Sequence, residues 1–227
     1  MNKIYIPSKG PENWKQFLAE PEKQWKKGYS ARALAYCWEE ADGFPSCVQK
    51  VFAKSGVPLF KGIELLYAFP EHQVPLPGGS CPSQTDVFVI ARSSGELVSI
   101  AVEGKVKEPF GPSVGEWLGS SSPGKERRLN FLSEQLDLSV ATLKGIRYQL
   151  LHRTVSAILK ARDLNASSAV MLVHSFCQDH TWFNDYQAFL GLLGKEGTPN
   201  SVSPIGERQG VHLYLAWVTG EAKFLNT

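Results

Sequence analysis

Two apolar runs set only three residues apart constrain this chain more than any other feature. They are TDVFVIAR (85–92) and ELVSIAVEGKV (96–106), with Ser93, Ser94 and Gly95 between them. Three such residues leave room for a tight turn and nothing more. Runs this rich in Val and Ile read as buried strands. A third candidate strand, GIELLYAF (62–69), stands before them and is followed by a polar Pro/Gly stretch to Pro82. Together the three predict an antiparallel meander.

The rest of the chain supplies helices to cover that sheet. Residues 1–29 mix Pro, Lys, Glu and Trp and read as an N-terminal extension, with a short helix near Trp14 to Leu18. From Ser30 the segment SARALAYCWEEADGF is a helix: Ser30 suits an N-cap, and Ala31, Leu34, Ala35 and Trp38 form an apolar stripe. A second helix spans roughly Cys47 to Ser55. Residues 107–125, rich in Pro, Gly and Ser, predict a long loop, and long loops in compact domains tend to be functional or mobile. Helices are expected at about 125–136 and 140–162, a buried strand at 168–176, a helix from Trp182 to Leu193, a turn-rich piece at 194–210 and a last strand at 211–218. A helix between the third and fourth strands allows a parallel crossover. The expected fold is therefore an α/β/α layered domain with a central mixed β-sheet, over residues 30–227.

Bulk properties set limits. At 227 residues a chain can bury roughly 70% of its unfolded surface, so no staples are needed. A net charge of +2 excludes a strongly basic nucleic-acid coat protein, so any such contact must come from a local groove. Cys37, Cys47, Cys81 and Cys177 show no C-x-x-C spacing and read as reduced thiols. Residues 1–20 lack a signal-peptide pattern, and no run approaches the ~20 apolar residues of a membrane span. The expectation is a cytoplasmic protein without a membrane partner.

Three residues carry chemistry. Asp86 stands near the start of one buried strand, and Glu103 and Lys105 near the end of the next. Residues two apart in a strand share a face, so Glu103 and Lys105 project together. A hairpin centred on Ser94 brings Asp86 opposite the region around Val102 and Glu103. Two carboxylates and an ammonium then converge where sheet meets loop. A Glu-x-Lys pair at a strand end is commonly a solvated edge, but Glu103 emerges from an apolar run, and charges at such places are rarely left unpaired. Two carboxylates and a main-chain carbonyl suit Mg²⁺, which keeps waters and leaves room for a phosphate oxygen. Lys105 can orient an attacking water.

Secondary features surround the trio. Lys125, Arg127 and Arg128 open one helix, and Arg147, His152 and Arg153 sit on the next; they could bind phosphates or form a solvated helix face. Trp117 could stack on a base or anchor its loop. His174 reads as a hydrogen-bonded core histidine and His180 as an exposed one. No P-loop, G-x-G-x-x-G or G-x-S-x-G context is present.

Asp86 followed by Glu103-Gly104-Lys105 resembles the D…(D/E)-x-K signature of the PD-(D/E)XK, restriction-endonuclease-like nuclease superfamily. The α-β-β-β-α-β order is similar to that superfamily's common core. The runs WEEADGFP, VEGKVKEPFGPSVGEWL, SPGKERRLNFL and RYQLLHRT look like an uncharacterised bacterial branch of it. The resemblance implies a metal-dependent phosphodiesterase, a nuclease using Mg²⁺ with Mn²⁺ as substitute. Its partners would be nucleic acid, DNA ahead of RNA, and a second copy of the chain in a homodimer. Asp86, Glu103 and the carbonyl of Gly104 would hold the metal, helped by a helical carboxylate, Glu39 or Glu40, with Glu39 preferred. Lys105 would position water, Gln149 would join the catalytic set, and Lys125, Arg128, Arg147 and Arg153 would hold substrate phosphates. One departure is Thr85, which stands where the signature has Pro. A catalytically silent nucleic-acid- or protein-binding member is the rival expectation.

Overall fold

The computed structural model describes residues 8–119 and 121–227; the first seven residues of the expected N-terminal extension lie outside that range. After a 3-10 turn at Pro11–Phe17 come α1 (Pro21–Gln24), α2 (Ser30–Glu40) and α3 (Ser46–Lys54). The meander follows as β1 (Glu64–Val74), β2 (Ser83–Ser93) and β3 (Glu96–Lys105). Then come α4 (Val114–Leu118), α5 (Pro123–Gln135), α6 (Tyr148–Asp163), β4 (Ser168–Ser175), α7 (Phe183–Leu192), β5 (Ser201–Arg208) and β6 (Val211–Thr219). The fold is α/β: a six-stranded mixed sheet in the order β1-β2-β3-β4-β6-β5, flanked by helices. β3, β4 and β6 run parallel, and the outer pairs are antiparallel. Among the described residues no helix is long and apolar enough to cross a membrane.

Alternation along the central strands builds two cores. Val98, Ile100, Val102, Val170 and Leu172 pack with Leu34, Trp38, Val48 and Phe52 of α2 and α3. Ala101, Ala169, Met171 and Val173 pack on the other face with Leu150, Val155 and Ile158 of α6 and Phe189 of α7. Each fully buried Val, Leu or Ile contributes about 1.5–3 kcal/mol, so both faces hold the sheet. The β2–β3 turn is tight because Ser94 and Gly95 both take left-handed backbone, φ 51° and 88°.

Four local expectations are corrected. Ser30 begins α2 rather than capping it; its N–H donates to Glu108 Oε1 at 3.2 Å. The loop after β3 contains α4, opened by a capping box between Ser113 and Glu116. The helix expected from 140 begins at Tyr148. Val114 N–H donates to Ile146 O (2.7 Å) and Tyr148 N–H to Pro112 O (3.1 Å), and that pairing is incompatible with a continuous helix. The turn-rich 194–210 contains β5. Pro204 and Gly206 obscure it in sequence, yet both fit an edge strand with a register shift between them. Pro70 likewise lies on the other edge strand, β1.

Candidate active site at the fork between β2 and β3

β2 pairs with β3 from Ser93↔Glu96 to Val87↔Val102. Beyond Val87, β2 continues beside β1 as far as Ser83, while β3 continues beside β4 to Lys105↔Ser175. The two strands therefore part, and Asp86 stands at the fork. Its Oδ2 accepts the Gly104 N–H at 2.8 Å. A Cβ at Gly104 would meet that oxygen at 3.3 Å and Leu34 Cδ2 at 3.3 Å, so glycine permits the close approach. Lys105 O accepts from Phe176 N–H (2.7 Å) on the β4 side. Successive residues of a strand turn their peptide groups to opposite sides. The carbonyl of Gly104 thus faces the fork, like its N–H.

Glu103 and Lys105 turn toward α6. Their side chains are only 2% and 4% exposed, and Lys105 Nζ lies 2.6 Å from Glu103 Oε1. The other carboxylate oxygen, Oε2, accepts from Arg153 Nε at 2.6 Å. Arg153 reaches further. Its Nη2 lies 4.0 Å from Asp86 Oδ1, and its Nη1 donates to Ser83 Oγ at 3.0 Å. Ser83 Oγ is 2.8 Å from His152 Nδ1. Arg153 Nη1, which can only donate, also lies 3.4 Å from Nδ1, so Nδ1 accepts and takes the Ser83 proton. Burial, and then the Arg153 charge, hold the His152 imidazole well below its usual range and keep it neutral.

A cavity of about 620 Å³ opens on this group. Four carboxylates, Glu71, Asp86, Glu103 and Glu108, line it together with Lys105, Arg153, Gln149 and Lys23. Lys23 is tied to Glu20 at 2.6 Å. Negative charge is therefore in excess in a poorly solvated place. Burial, then the charge of Glu103, pushes the Asp86 carboxyl up to about 7. Burial, then Asp86, pushes Glu71 well above the usual range. Burial also works on Glu103, but Lys105 and Arg153 outweigh it and hold that carboxyl low. Gln149 Oε1 is buried with no hydrogen-bond partner. An orphaned acceptor beside surplus carboxylates, together with a backbone carbonyl, is an all-oxygen donor set of the kind a hard divalent cation takes.

The structure brings Asp86, Glu103, Lys105 and Gln149 to one cleft, with Gly104 joined to Asp86 through its N–H. It does not bring Glu39 there. Glu39 Oε1 accepts from Ser8 Oγ (2.8 Å) and Trp14 Nε1 (2.7 Å). α2 meets the cavity with Ser30 and Ala31, and Glu39 lies nine residues further along, about 13 Å at 1.5 Å per residue. Glu40 pairs with Lys223 instead. In their place the cleft carries Glu108 and, on β1, Glu71. Pro70↔Val87 and His72↔Thr85 set Glu71 opposite Asp86, with a left-handed φ of 51°. Its sequence signal was its place just past the expected end of the first strand, hidden by Pro70.

The four expected phosphate-binding cations are otherwise engaged. Lys125 Nζ donates to Trp117 O at 2.7 Å and lies 5.6 Å from the Trp117 ring centre. Arg128 is buried and donates to the carbonyls of Leu76, Pro77 and Gly79, fastening the β1–β2 connection. Arg147 pairs with Asp185 (3.0 Å) and Gly111 O (3.0 Å). Arg153 is internal to the cleft rather than on a solvated helix face. Trp117 stacks on Tyr148, ring centres 4.0 Å apart, and anchors its loop.

No curated protein and no solved structure matches the chain. One family model does, over residues 7–222, and its description is a domain of unknown function, DUF6946. That match spans nearly the whole sequence, and the chain belongs to the DUF6946 family.

Proposed function

We propose that this protein is a divalent-cation-dependent nuclease of the restriction-endonuclease-like class, hydrolysing phosphodiester bonds in DNA or RNA. The observation that carries the reading is the fork, where Asp86, Glu103 and Lys105 meet beside the unpartnered Gln149 carbonyl oxygen. The strand order around it, an antiparallel β1-β2-β3 followed by a parallel β4, is consistent with that class.

Asp86, Glu71, the Gly104 carbonyl and Gln149 are the groups that would hold Mg²⁺ or Mn²⁺, with Glu103 adjoining. When bound, such a cation neutralises charge on a phosphate and acidifies water. The protein's own groups do the rest. Lys105 is held against Glu103 at 2.6 Å, so its ammonium is fixed at the cleft wall, where it can orient a water or stabilise charge on a phosphate oxygen. Phe110, its ring centre 5.1 Å from Nζ, covers that ammonium and limits its solvation. Arg153 fixes Glu103 from the other side. Asp86, its carboxyl raised to about 7, can hold a proton near neutral pH, and Glu71 is raised in the same direction.

One observation favours a second reading, a catalytically silent binding member. Arg153 already extends from Glu103 to Asp86, so a protein cation stands where the two carboxylates face each other. The readings separate in one assay: plasmid, single-stranded DNA and RNA incubated with Mg²⁺ or Mn²⁺, wild type beside Lys105→Ala. Metal-dependent cleavage lost in the variant supports the nuclease. No cleavage of any substrate, or equal cleavage by both proteins, rejects it.

A further inference from the structure

On the other face of the sheet, Cys37, Cys47 and His174 bring two sulfurs and one ring nitrogen within 4.8 Å of one another. Cys37 lies on α2, Cys47 in the first turn of α3, and His174 on β4 in register with Gly104. Cys37 and His174 are buried, while Cys47 is half-buried, so Cys47 is the member that meets solvent.

The hydrogen bonds fix where the protons are. An indole N–H can only donate. Trp38 Nε1 lies 3.2 Å from His174 Nδ1, so Nδ1 accepts and the neutral ring carries its proton on Nε2. That nitrogen lies 3.3 Å from Cys47 Sγ and donates to it. Cys37 Sγ lies within 4.8 Å of the same sulfur. The ring N–H donated to this sulfur favours its thiolate, and the N-terminal turn of α3 adds a favourable field. The neighbouring Cys37, and then His174, lower the Cys47 thiol against burial, while Cys47, burial and the charges of Glu221 and Glu40 raise Cys37. The same proton placement disfavours a soft metal ion at these atoms. A metal on Nε2 would require the ring proton on Nδ1, head to head with the Trp38 N–H.

We propose that Cys47 is a nucleophilic thiolate and Cys37 its resolving thiol, forming a site of reversible oxidation by peroxides. The Cys47 sulfur attacks one oxygen of hydrogen peroxide and the O–O bond breaks. This leaves a sulfenic acid and hydroxide, which takes a solvent proton to become water. Cys37 sulfur then attacks Cys47 sulfur and the S–O bond breaks. The departing hydroxide leaves as water with the Cys37 proton, and a disulfide ties α2 to α3. Two sulfurs lose two electrons in all, and one peroxide becomes two waters.

The test is alkylation of the full chain by limiting iodoacetamide at neutral pH, read by peptide mass mapping, with the exposed Cys81 as internal reference. Cys47 is expected to react about tenfold faster than Cys81 despite its lower exposure. Stoichiometric hydrogen peroxide is expected to remove two hydrogens from the intact mass and to yield a Cys37–Cys47 peptide pair, reversed by dithiothreitol. Cys37→Ser is expected to stop at a sulfenic acid that dimedone traps, and Trp38→Phe, which releases Nδ1, to slow alkylation of Cys47. Faster alkylation of Cys81 than Cys47, absence of the Cys37–Cys47 pair, or stoichiometric zinc that is retained by wild type and lost in Cys47→Ser would overturn the proposal.

Discussion

The two faces of β3 and β4 carry two polar clusters of opposite character. Gly104 and His174 pair across these strands, yet Glu103 and Lys105 turn toward α6 while His174 turns toward α2 and α3. The fork is built from full charges and oxygen acceptors, carries surplus negative charge, and leaves Gln149 Oε1 unmet. The Cys37–Cys47–His174 cluster is a donor chain that begins at Trp38 and ends on one sulfur. Its internal bonds are complete without an added ion. The first cluster leaves an acceptor unmet; the second has its donors and acceptors paired. A buried polar group indicates a ligand only when its own hydrogen-bond accounting fails to close.

The largest test of this contrast concerns activity. Lys105→Ala is expected to reduce metal-dependent cleavage by about 10²–10⁴-fold, the usual worth of a positioned proton-handling or charge-stabilising group, in a gel-based nuclease assay. An activity loss below severalfold would detach Lys105 from the chemistry.

Stability changes come next. Arg153→Ala strips Glu103 of one of two partners in a buried site, and breaking such a pair costs about 3–5 kcal/mol. Urea unfolding is expected to show that loss, while removal of an exposed pair such as Arg92–Glu64 costs about 0–1 kcal/mol. Equal effects would mean that the fork is better solvated than its burial indicates.

A smaller effect is the pH dependence of stability. The Asp86 carboxyl is raised from 3.8 to about 7. The folded state therefore binds its proton more tightly than the unfolded chain does. Its contribution is fully present below about pH 4 and is lost as pH rises through about 7. Glu71 acts in the same sense, and Glu103, held low, acts in the opposite sense only at the acid end. Without divalent cation, thermal stability is expected to fall across this window, and Asp86→Asn is expected to flatten the slope. Added Mg²⁺ is expected to restore stability to wild type at the alkaline end and not to Asp86→Asn.

Smallest is Gln149→Leu. Removing an orphaned buried acceptor leaves no partner unsatisfied, so stability is expected to change by less than about 1 kcal/mol while Mn²⁺ affinity drops. A large destabilisation would show that Gln149 supports the fold.

The readable parts of the molecule were local in sequence. β2, its turn and β3 lie in one stretch, so their register follows from the turn, and the register places Asp86 at the end of the ladder beside Glu103 and Gly104. The hidden parts depend on distant residues or on broken patterns. Glu71 follows Pro70 in a strand whose alternation is interrupted there. Arg153 has the spacing of a solvated helix face, and only the docking of α6 against β3 turns it inward to Glu103. β5 is obscured by Pro204 and Gly206. For Glu39 and Glu40 the periodicity of α2 gave the side of the helix but not which end meets the cleft, and the cleft takes Ser30 instead. The Trp38–His174 bond joins residues 136 positions apart, beyond any motif.

The most direct measurement is a crystal of the protein soaked in Mn²⁺ and read by anomalous scattering. A manganese peak at the Asp86 carboxylate, within reach of Glu71, Gln149 Oε1 and the Gly104 carbonyl and with Arg153 drawn away from Asp86, is the expected result. An unaltered Arg153 bridge with no peak in the cleft at saturating Mn²⁺ would contradict it.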